Sequence, residues 1–199
     1  MNACWAAAAA LAALALLGAA PTDKIQSMLA RPKVLCGRFD QQKQLVGLKK
    51  PVVSNGRFCV VADKGVLWRT LQPFPNTLKI TRDEIIQLNG ERVAVRMDAR
   101  QEPAVRMINS VLFALLAGDL DPLEKIFEID GALQERSWSV KLKPRDAGFG
   151  KVISSISLAG GVYVRSIVIS EASGDHTKIE FSAIQTGDGA IRPDEAALF

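Results

Sequence analysis

The strongest structural pattern in this chain lies in three stretches: GRFDQQK at residues 37–43, PVVSNGRF at 51–58 and GVLWRTLQPF at 65–74. Apolar side chains recur in them at every second position, which is the periodicity of a half-buried β-strand. Glycine, proline and asparagine separate the stretches, as they do in the turns of β-hairpins. The pattern therefore predicts three antiparallel strands in sequence order.

The same alternation continues on both sides of an apolar central segment. Together the predicted strands cover residues 34–46, 56–62, 66–71, 77–81, 84–88, 92–96, 137–143, 152–158, 162–170 and 177–183. Tight turns are predicted at Asn89-Gly90, Gly160-Gly161 and Gly174-Asp175, because these dipeptides favour the backbone of hairpin turns. A chain of this kind is mainly β.

The central segment has a different period. Val105, Ile108, Val111 and Leu115 follow one another at helical spacing, and Pro103 suits the first turn of a helix. Further apolar residues extend this face around almost the whole helix. The predicted helix should therefore be buried on most sides, and should not lie on a sheet with one side in solvent. A second short helix is predicted over 121–127. We therefore expect a helical lid over about 103–127, with further short helices predicted over 23–30 and within 192–198.

Strands on both sides of one helical insert predict a single large antiparallel sheet. A twisted sheet of about ten strands tends to curl, and its concave side needs an apolar cover. The predicted fold is therefore a mainly β, incomplete half-barrel closed by a helical lid. No linker divides the chain, so residues 21–199 are expected to form one domain.

Residues 1–20 differ from the rest of the chain. Residues 6–20 contain only alanine, leucine and glycine, and Gly18-Ala19-Ala20 fits a small-residue cleavage site. These features predict a secretory signal peptide that is cleaved on export to the periplasm. A basic residue before the apolar run is absent, and a retained N-terminal anchor is the alternative interpretation.

Two cysteines, Cys36 and Cys59, follow the predicted signal peptide. They lie on two consecutive predicted strands, which allows a disulfide in an oxidising compartment. The alternative is that they are two small buried apolar residues.

Charge and motif content argue against a nucleic-acid-binding protein and against an enzyme. The chain has 25 lysines and arginines against 21 acidic residues, a net charge of +4, and its charges are interspersed. We therefore expect no nucleic-acid binding. His176 is the single histidine and lies in a tight turn, without the partners of a catalytic triad or a metal site. Neither an enzyme nor a bound cofactor or metal is predicted.

The ordered set of motifs resembles the periplasmic outer-membrane lipoprotein carrier family, LolA, and is most similar to its divergent members. The motifs that carry the resemblance span most of the chain: Phe39-x-Gln41, 51–56, 65–68, Gln72-Pro73-Phe74, 77–81, 138–144, 174–181 and, more loosely, 194–199.

The resemblance implies a half-barrel with a helical lid over an apolar cavity. It further implies a carrier that receives lipoprotein acyl chains from an inner-membrane transporter and passes them to an outer-membrane acceptor. Members of the family latch the lid with a basic residue beside the strand that corresponds to 66–71. Lys64 is the candidate substitute for that residue here.

The predicted lining of the cavity comes from the sheet and from the lid. Its candidate residues are Phe39, Phe58, Val60, Val66, Trp68, Leu78, Ile80, Met107, Val111, Leu112 and Leu115. The alternative for each of them is a place in an ordinary filled core.

The leading functional hypothesis is a monomeric periplasmic carrier of lipoprotein acyl chains or other lipids. Two alternatives stay open: a carrier of another apolar molecule, such as a polyene or pigment lipid, and a periplasmic adaptor protein with a filled core. The sequence does not distinguish them, because several strands are apolar on both faces.

Overall fold

The computed structural model describes residues 22–90, 92–102, 105, 109, 111, 113–114 and 120–199. These residues build a curved, open, eleven-stranded antiparallel sheet. The short helices among them are α1 Thr22–Met28, α2 Asp121–Glu124, α3 Ala147–Gly150 and α4 Pro193–Ala196, with a 3₁₀ turn at Asp188–Ala190. The mainly β half-barrel that the sequence predicts is confirmed.

The strands follow the alternation of the sequence closely. They are β1 Val34–Gln44, β2 Val52–Val61, β3 Gly65–Gln72, β4 Asn76–Ile80, β5 Glu84–Asn89, β6 Arg92–Asp98, β7 Phe127–Gln134, β8 Ser137–Pro144, β9 Ile153–Gly160, β10 Val164–Glu171 and β11 His176–Thr186. Every predicted strand is present, with its ends moved by a few residues.

The strand order shows how the two halves of the chain join. It runs β6-β5-β4-β3-β2-β1-β11-β10-β9-β8-β7, so each half is a meander and β1 pairs with β11 at the centre. Strands β6 and β7 are consecutive in sequence but form opposite edges of the sheet. The segment 99–126 therefore has to cross from one edge to the other.

This crossing brings the described residues of the apolar segment to the sheet. Ten strand spacings of about 4.8 Å would separate the edges by about 48 Å in a flat sheet, and curvature shortens that path. The described residues Val105, Asn109, Val111, Phe113 and Ala114 are α-helical. Val105, Val111 and Ala114 are buried in the same apolar cluster as the sheet residues.

The two faces of the sheet have different cover. The inner face carries the main apolar cluster, which includes Ile25 and Leu29 of the N-terminal segment and the lid residues. The outer face carries a smaller cluster under the C-terminal segment, where Ala190 packs with Cys36 and Cys59. Side chains alternate between these faces along each strand.

The boundary of the helical segment differs from the prediction. Helix α2 ends at Glu124, and β7 begins at Phe127, for which the sequence pattern predicts a helix. The side chains of β7 alternate between buried and exposed positions, and Phe127 pairs with Pro144 of β8. The prediction of a helix through Phe127 is therefore wrong. The pair Asp121-Pro122 is typical of a helix start, so the sequence pattern does not indicate that a strand begins a few residues later at Phe127.

Candidate functional site

Four aromatic side chains form the centre of the inner face. Phe39 stacks on Trp68 with ring centroids 3.9 Å apart and an interplanar angle of 24°. Phe58 and Phe181 complete the group, with their ring centroids 4.9 Å apart in an edge-on arrangement. Offset-stacked and edge-on pairs are favourable geometries for aromatic rings. The result is a compact apolar group at the middle of the sheet.

The structure places the predicted lining residues of the sheet on this inner face. Phe39, Phe58, Val60, Val66 and Ile80 are buried in the main cluster, and Trp68 and Leu78 pack against it half-buried. From the lid, Val111 belongs to the same cluster. Met107, Leu112 and Leu115 lie outside the described residues. Whether any of these side chains contacts a ligand stays a prediction.

Phe181 was not among the predicted lining residues. It lies on β11, where it pairs with Phe39 of β1. Local periodicity marks Phe181 as an inward residue of its strand, but no local pattern predicts that the last strand pairs with the first. Its position beside Phe39 follows only from that long-range pairing.

The described part of the lid is held by polar contacts to the connection between β4 and β5. Asn109 is 2% exposed, and its Nδ2 donates a hydrogen bond of 2.7 Å to the carbonyl oxygen of Thr81. The Arg82 guanidinium lies 5.9 Å from the centre of the Phe113 ring, within cation–π range. The sequence predicts neither contact, because Asn109 and Arg82 are polar and belong to no apolar pattern.

Lys64, the predicted latch residue, lies in the turn between β2 and β3 and is exposed. This turn and the Thr81–Arg82 connection are at the same end of the sheet, since β3 and β4 pair from Val66 with Ile80. The described residues include no ion pair or hydrogen bond partner for the Lys64 side chain. The latch role of Lys64 stays a prediction.

Little open space remains in one described part of the inner face. A small apolar cavity of about 20 Å³ lies between Leu29, Leu35, Phe58, Tyr163 and Phe181. That volume holds about one water molecule. In this conformation, therefore, Leu29 of the N-terminal segment lies close to the aromatic residues Phe58 and Phe181.

The outer face carries a disulfide and a buried ion pair. Cys36 and Cys59 are opposite each other on β1 and β2 and are joined by an S–S bond, with Cα atoms 4.1 Å apart. Glu195 of α4 is 1% exposed, and its Oε1 accepts a hydrogen bond of 2.7 Å from Arg57 Nε. The backbone N–H of Arg192 donates to Glu195 Oε2 at 3.0 Å. These contacts fix the C-terminal segment to β1 and β2.

A metal ion does not fit the one cluster of possible ligands found among the described residues. The ligand atoms of Cys36, Cys59 and Glu195 lie within 4.8 Å of one another. However, the two sulfur atoms are bonded to each other and Arg57 already neutralises the carboxylate. The cluster therefore has a structural role.

The exposed apolar side chains are concentrated at one end of the sheet, which we call the rim. The rim comprises the connections β1–β2, β3–β4, β5–β6, β8–β9 and β10–β11, together with the strand residues next to them. Among the described residues, the large exposed apolar side chains at the rim are Val46, Leu48, Val52, Val53, Leu71, Phe74, Val93, Val95 and Val152. Val162 lies at the opposite end. Phe74 is 79% exposed, and Lys49 and Lys50 place positive charge beside Leu48.

Two carboxyl groups have shifted acidities. Hydrogen bonds from the Arg100 side chain and backbone lower the pKa of Asp98 from 3.8 to about 2. A hydrogen bond from Arg69 lowers the pKa of Asp194. Asp98 ends strand β6 and Asp194 lies in helix α4, and each shift comes from an arginine partner, so these shifts indicate structural pairing.

The sequence matches a family model over residues 12–198, and that family is described as outer membrane lipoprotein carrier protein LolA-like. Because the match extends over nearly the whole chain, this protein belongs to the LolA-like family. This membership confirms the resemblance seen in the motifs. Proteins of this family are in general non-enzymatic carriers, are periplasmic and typically bind lipids or lipoproteins.

Solved structures of other proteins resemble this one at low sequence identity. A LolA superfamily protein from Nitrosomonas europaea is 9% identical, with a TM-score of 0.47 over 87% of this chain and 93% of its own. A DUF1329 family protein from Desulfovibrio piger is 10% identical, with a TM-score of 0.47 over 84% of this chain and 91% of its own. No curated protein sequence matches the chain.

Within the described ranges, every helix is too short or too polar to cross a bilayer.

Proposed function

We propose that this protein is a periplasmic carrier that binds lipoprotein acyl chains or other lipids on the inner face of its sheet and carries them toward the outer membrane. The observation that supports this most is the aromatic group at the centre of an open, curved sheet, covered by a segment that has to cross from edge to edge. Membership in the LolA-like family supports the same class of cargo.

The physical basis of carriage is the exchange of one apolar cover for another. Removing an acyl chain from water is favourable by about 0.8 kcal/mol per methylene group. The lid already buries part of the inner face, so cargo has to displace it. The free energy needed to expose Val105, Val111 and Ala114 then offsets part of the free energy released by burying the acyl chain. Such a balance keeps binding reversible, as a carrier requires.

The route of the cargo follows from the proposed location. A signal peptide at residues 1–20 would export the chain, and an inner-membrane transporter would load it. An outer-membrane acceptor would then receive the cargo. We propose that transfer takes place at the rim, because its exposed apolar side chains can enter another apolar surface without first uncovering the inner face.

One observation favours a second candidate. The cavity of about 20 Å³ beside Phe58 is too small for an acyl chain. Close packing of this kind, if it extended over the whole inner face, would fit a periplasmic adaptor with a filled core. A carrier of a polyene or pigment lipid is a variant of the first proposal and differs from it only in cargo.

The experiment that separates these candidates is native mass spectrometry of the protein purified gently from the periplasm, followed by organic extraction. An added mass that extracts as an acylated peptide, a lipid or a polyene would support the carrier and identify its cargo class. A ligand-free protein that also fails to bind a fluorescent fatty acid would favour the adaptor.

A matched pair of variants tests where the cargo binds. Val111→Glu places a charge in the buried apolar cluster between lid and sheet, where its desolvation is costly. We expect this variant to bind fatty acid at least tenfold more tightly while keeping the β-sheet signal in circular dichroism, because the charge weakens the closed lid that the cargo has to displace. Val162→Glu, at an exposed position away from the rim, is the control and should bind as the native protein does. Equal affinities in both variants would show that the lid is not part of the proposed site.

A further inference from the structure

Three arginines form a row across the outer face of the sheet. Arg38 on β1 is directly opposite Arg57 on β2, and Arg57 is directly opposite Arg69 on β3. Directly opposed residues of an antiparallel pair have Cα atoms about 4.5–5.5 Å apart. Like charges in such positions destabilise a sheet unless other groups neutralise them. The row therefore requires anionic partners.

The C-terminal segment supplies only part of this compensation. Arg57 Nε pairs with Glu195 Oε1 at 2.7 Å, and its Nη2 donates to the carbonyl oxygen of Ala190 at 2.6 Å. Arg69 Nη1 pairs with Asp194 Oδ2 at 2.7 Å. Among the described residues, no hydrogen bond or ion pair involves the Arg38 guanidinium.

A fourth guanidinium lies at the same place. Arg192, at the start of α4, lines a surface pocket of about 230 Å³ together with Arg38, Arg57 and Arg69. Its side chain also has no ion pair with any described residue. Four guanidinium groups thus share two carboxylates, which leaves two positive charges at one concave site. Asp40, on the same face two positions along β1 from Arg38, has no ion pair with any of the four.

The backbone beside this pocket has a local irregularity. Arg38 pairs with Ser182 and Cys36 pairs with Gln185, so β11 has an extra residue opposite Gly37. At this β-bulge Ala183, which also lines the pocket, has a φ of 47°. Residues other than glycine adopt such a backbone rarely, and bulges and strained residues are concentrated at binding sites.

We propose that the pocket formed by Arg38, Arg57, Arg69 and Arg192 is a binding site for a phosphate group that carries two negative charges. A phosphate monoester has a charge of about −1.5 to −2 at pH 7, which matches the uncompensated charge of the site. Guanidinium groups bind phosphate oxygens with pairs of parallel hydrogen bonds. The exposed Leu71 at the edge of the pocket leaves room for an organic substituent on the phosphate.

This site is separate from the proposed cargo site. Arg38, Arg57 and Arg69 alternate along their strands with Phe39, Phe58 and Trp68, so the two sites lie on opposite faces of the sheet. The phosphate site therefore does not rest on acyl-chain binding, and either proposal can fail without the other.

The test is a titration of the purified exported protein with inorganic phosphate, followed by ³¹P NMR and calorimetry. Chloride keeps the ionic strength constant, so that screening alone produces no change. We expect saturable binding that is weakened about tenfold or more in Arg38→Gln and in Arg192→Gln, because each removes a charge-assisted donor. Arg165→Gln removes an exposed arginine on β10 and is the matched control, with unchanged affinity.

Three results would overturn the proposal: no saturable binding, unchanged affinity in Arg38→Gln, or an equal loss in Arg165→Gln, which would indicate attraction by net charge alone. Dimethyl phosphate, a monoanion, should bind more weakly than inorganic phosphate. If it binds equally well, the charge match is wrong and the proposal with it.

A vesicle experiment distinguishes the two sources of the phosphate group. Vesicles that contain phosphatidic acid present a phosphate monoester, and vesicles of phosphatidylcholine alone do not. Flotation with phosphatidic acid vesicles that is lost in Arg38→Gln would assign the site to a lipid headgroup. Binding of inorganic phosphate without flotation would assign it to a soluble phosphate. Each result supports the site.

Discussion

Gly56 allows the stacking of Phe39 on Trp68 at the centre of the inner face. A Cβ atom at Gly56 would lie 2.7 Å from the Phe39 ring and would also collide with the backbone carbonyl oxygen of Arg69. Because Gly56 pairs directly with Phe39, the ring lies across the bare backbone and reaches Trp68 on the next strand. The aromatic group therefore depends on one position that has no side chain.

Asp98 provides a pH-dependent contact at the point where the chain leaves the sheet for the lid. The Arg100 guanidinium donates to both carboxylate oxygens of Asp98, at 3.0 Å to Oδ1 and 2.7 Å to Oδ2. These bonds lower the pKa of Asp98 from 3.8 to about 2. Folding is therefore favoured by this group above its unfolded pKa, and the contribution is lost as the pH falls through the folded pKa, between about 4 and 2.

The measurement is an NMR titration of the Asp98 carboxyl carbon, for which we expect a midpoint of about 2. Arg100→Gln should raise the midpoint toward 3.8, since it removes the charged donor. Arg165→Gln, which removes an exposed arginine on β10 in the other half of the sheet, is the control and should leave the midpoint unchanged. A native midpoint near that of an unperturbed carboxyl group would contradict the pairing.

At the scale of elements, the Cys36–Cys59 disulfide links β1 and β2 under the C-terminal segment. A crosslink over a sequence separation of 23 residues removes unfolded-state entropy worth about 3 kcal/mol. We expect the double variant Cys36→Ala, Cys59→Ala to lose about 2–3 kcal/mol of unfolding free energy. Urea denaturation followed by circular dichroism measures this loss.

Reductant provides the control for the disulfide. Dithiothreitol should lower the stability of the native protein toward that of the double variant and leave the double variant unchanged. Identical urea midpoints for the native protein with and without reductant would show that the bond contributes nothing to stability in solution.

Strands could be predicted from the sequence where the alternation of apolar residues had no helix-starting signal next to it. Strand β7 was missed, although Phe127, Ile129 and Leu133 alternate correctly, because Asp121-Pro122 begins a helix just before them. The pairing of β1 with β11 has no local pattern, so Phe181 and the inner face as a whole could be predicted only in part. The row of Arg38, Arg57 and Arg69 could not be predicted either. Each of these arginines is an ordinary polar position in its own strand, and only the register of β1, β2 and β3 places them opposite one another.

At the scale of the whole molecule, the strand order gives the lid its position. Since β6 and β7 are opposite edges, the segment between them has to connect one edge with the other. Its described residues Val105, Val111 and Ala114 are buried in the apolar cluster of the inner face. Topology therefore brings these residues to the sheet, and the hydrogen bond from Asn109 to Thr81 holds one of the described positions there.

The rim yields a prediction about delivery that rests on the proposed carrier function. If cargo leaves at the rim, Phe74 and Leu48 have to enter an apolar acceptor during transfer, and burial of a large apolar side chain contributes about 1.5–3 kcal/mol. The double variant Phe74→Ser, Leu48→Ser should therefore slow transfer of a fluorescent fatty acid to acceptor vesicles by about tenfold or more. Stopped-flow fluorescence measures the rate.

Equilibrium binding of the fatty acid should not change in this variant, because neither side chain belongs to the inner-face cluster. Val162→Ser, which removes an exposed apolar side chain from the opposite end of the sheet, should transfer cargo at the native rate. A slower rate in Val162→Ser would mean that total surface apolarity controls transfer. An unchanged rate in the rim variant would place the exit of the cargo elsewhere, along the lid itself.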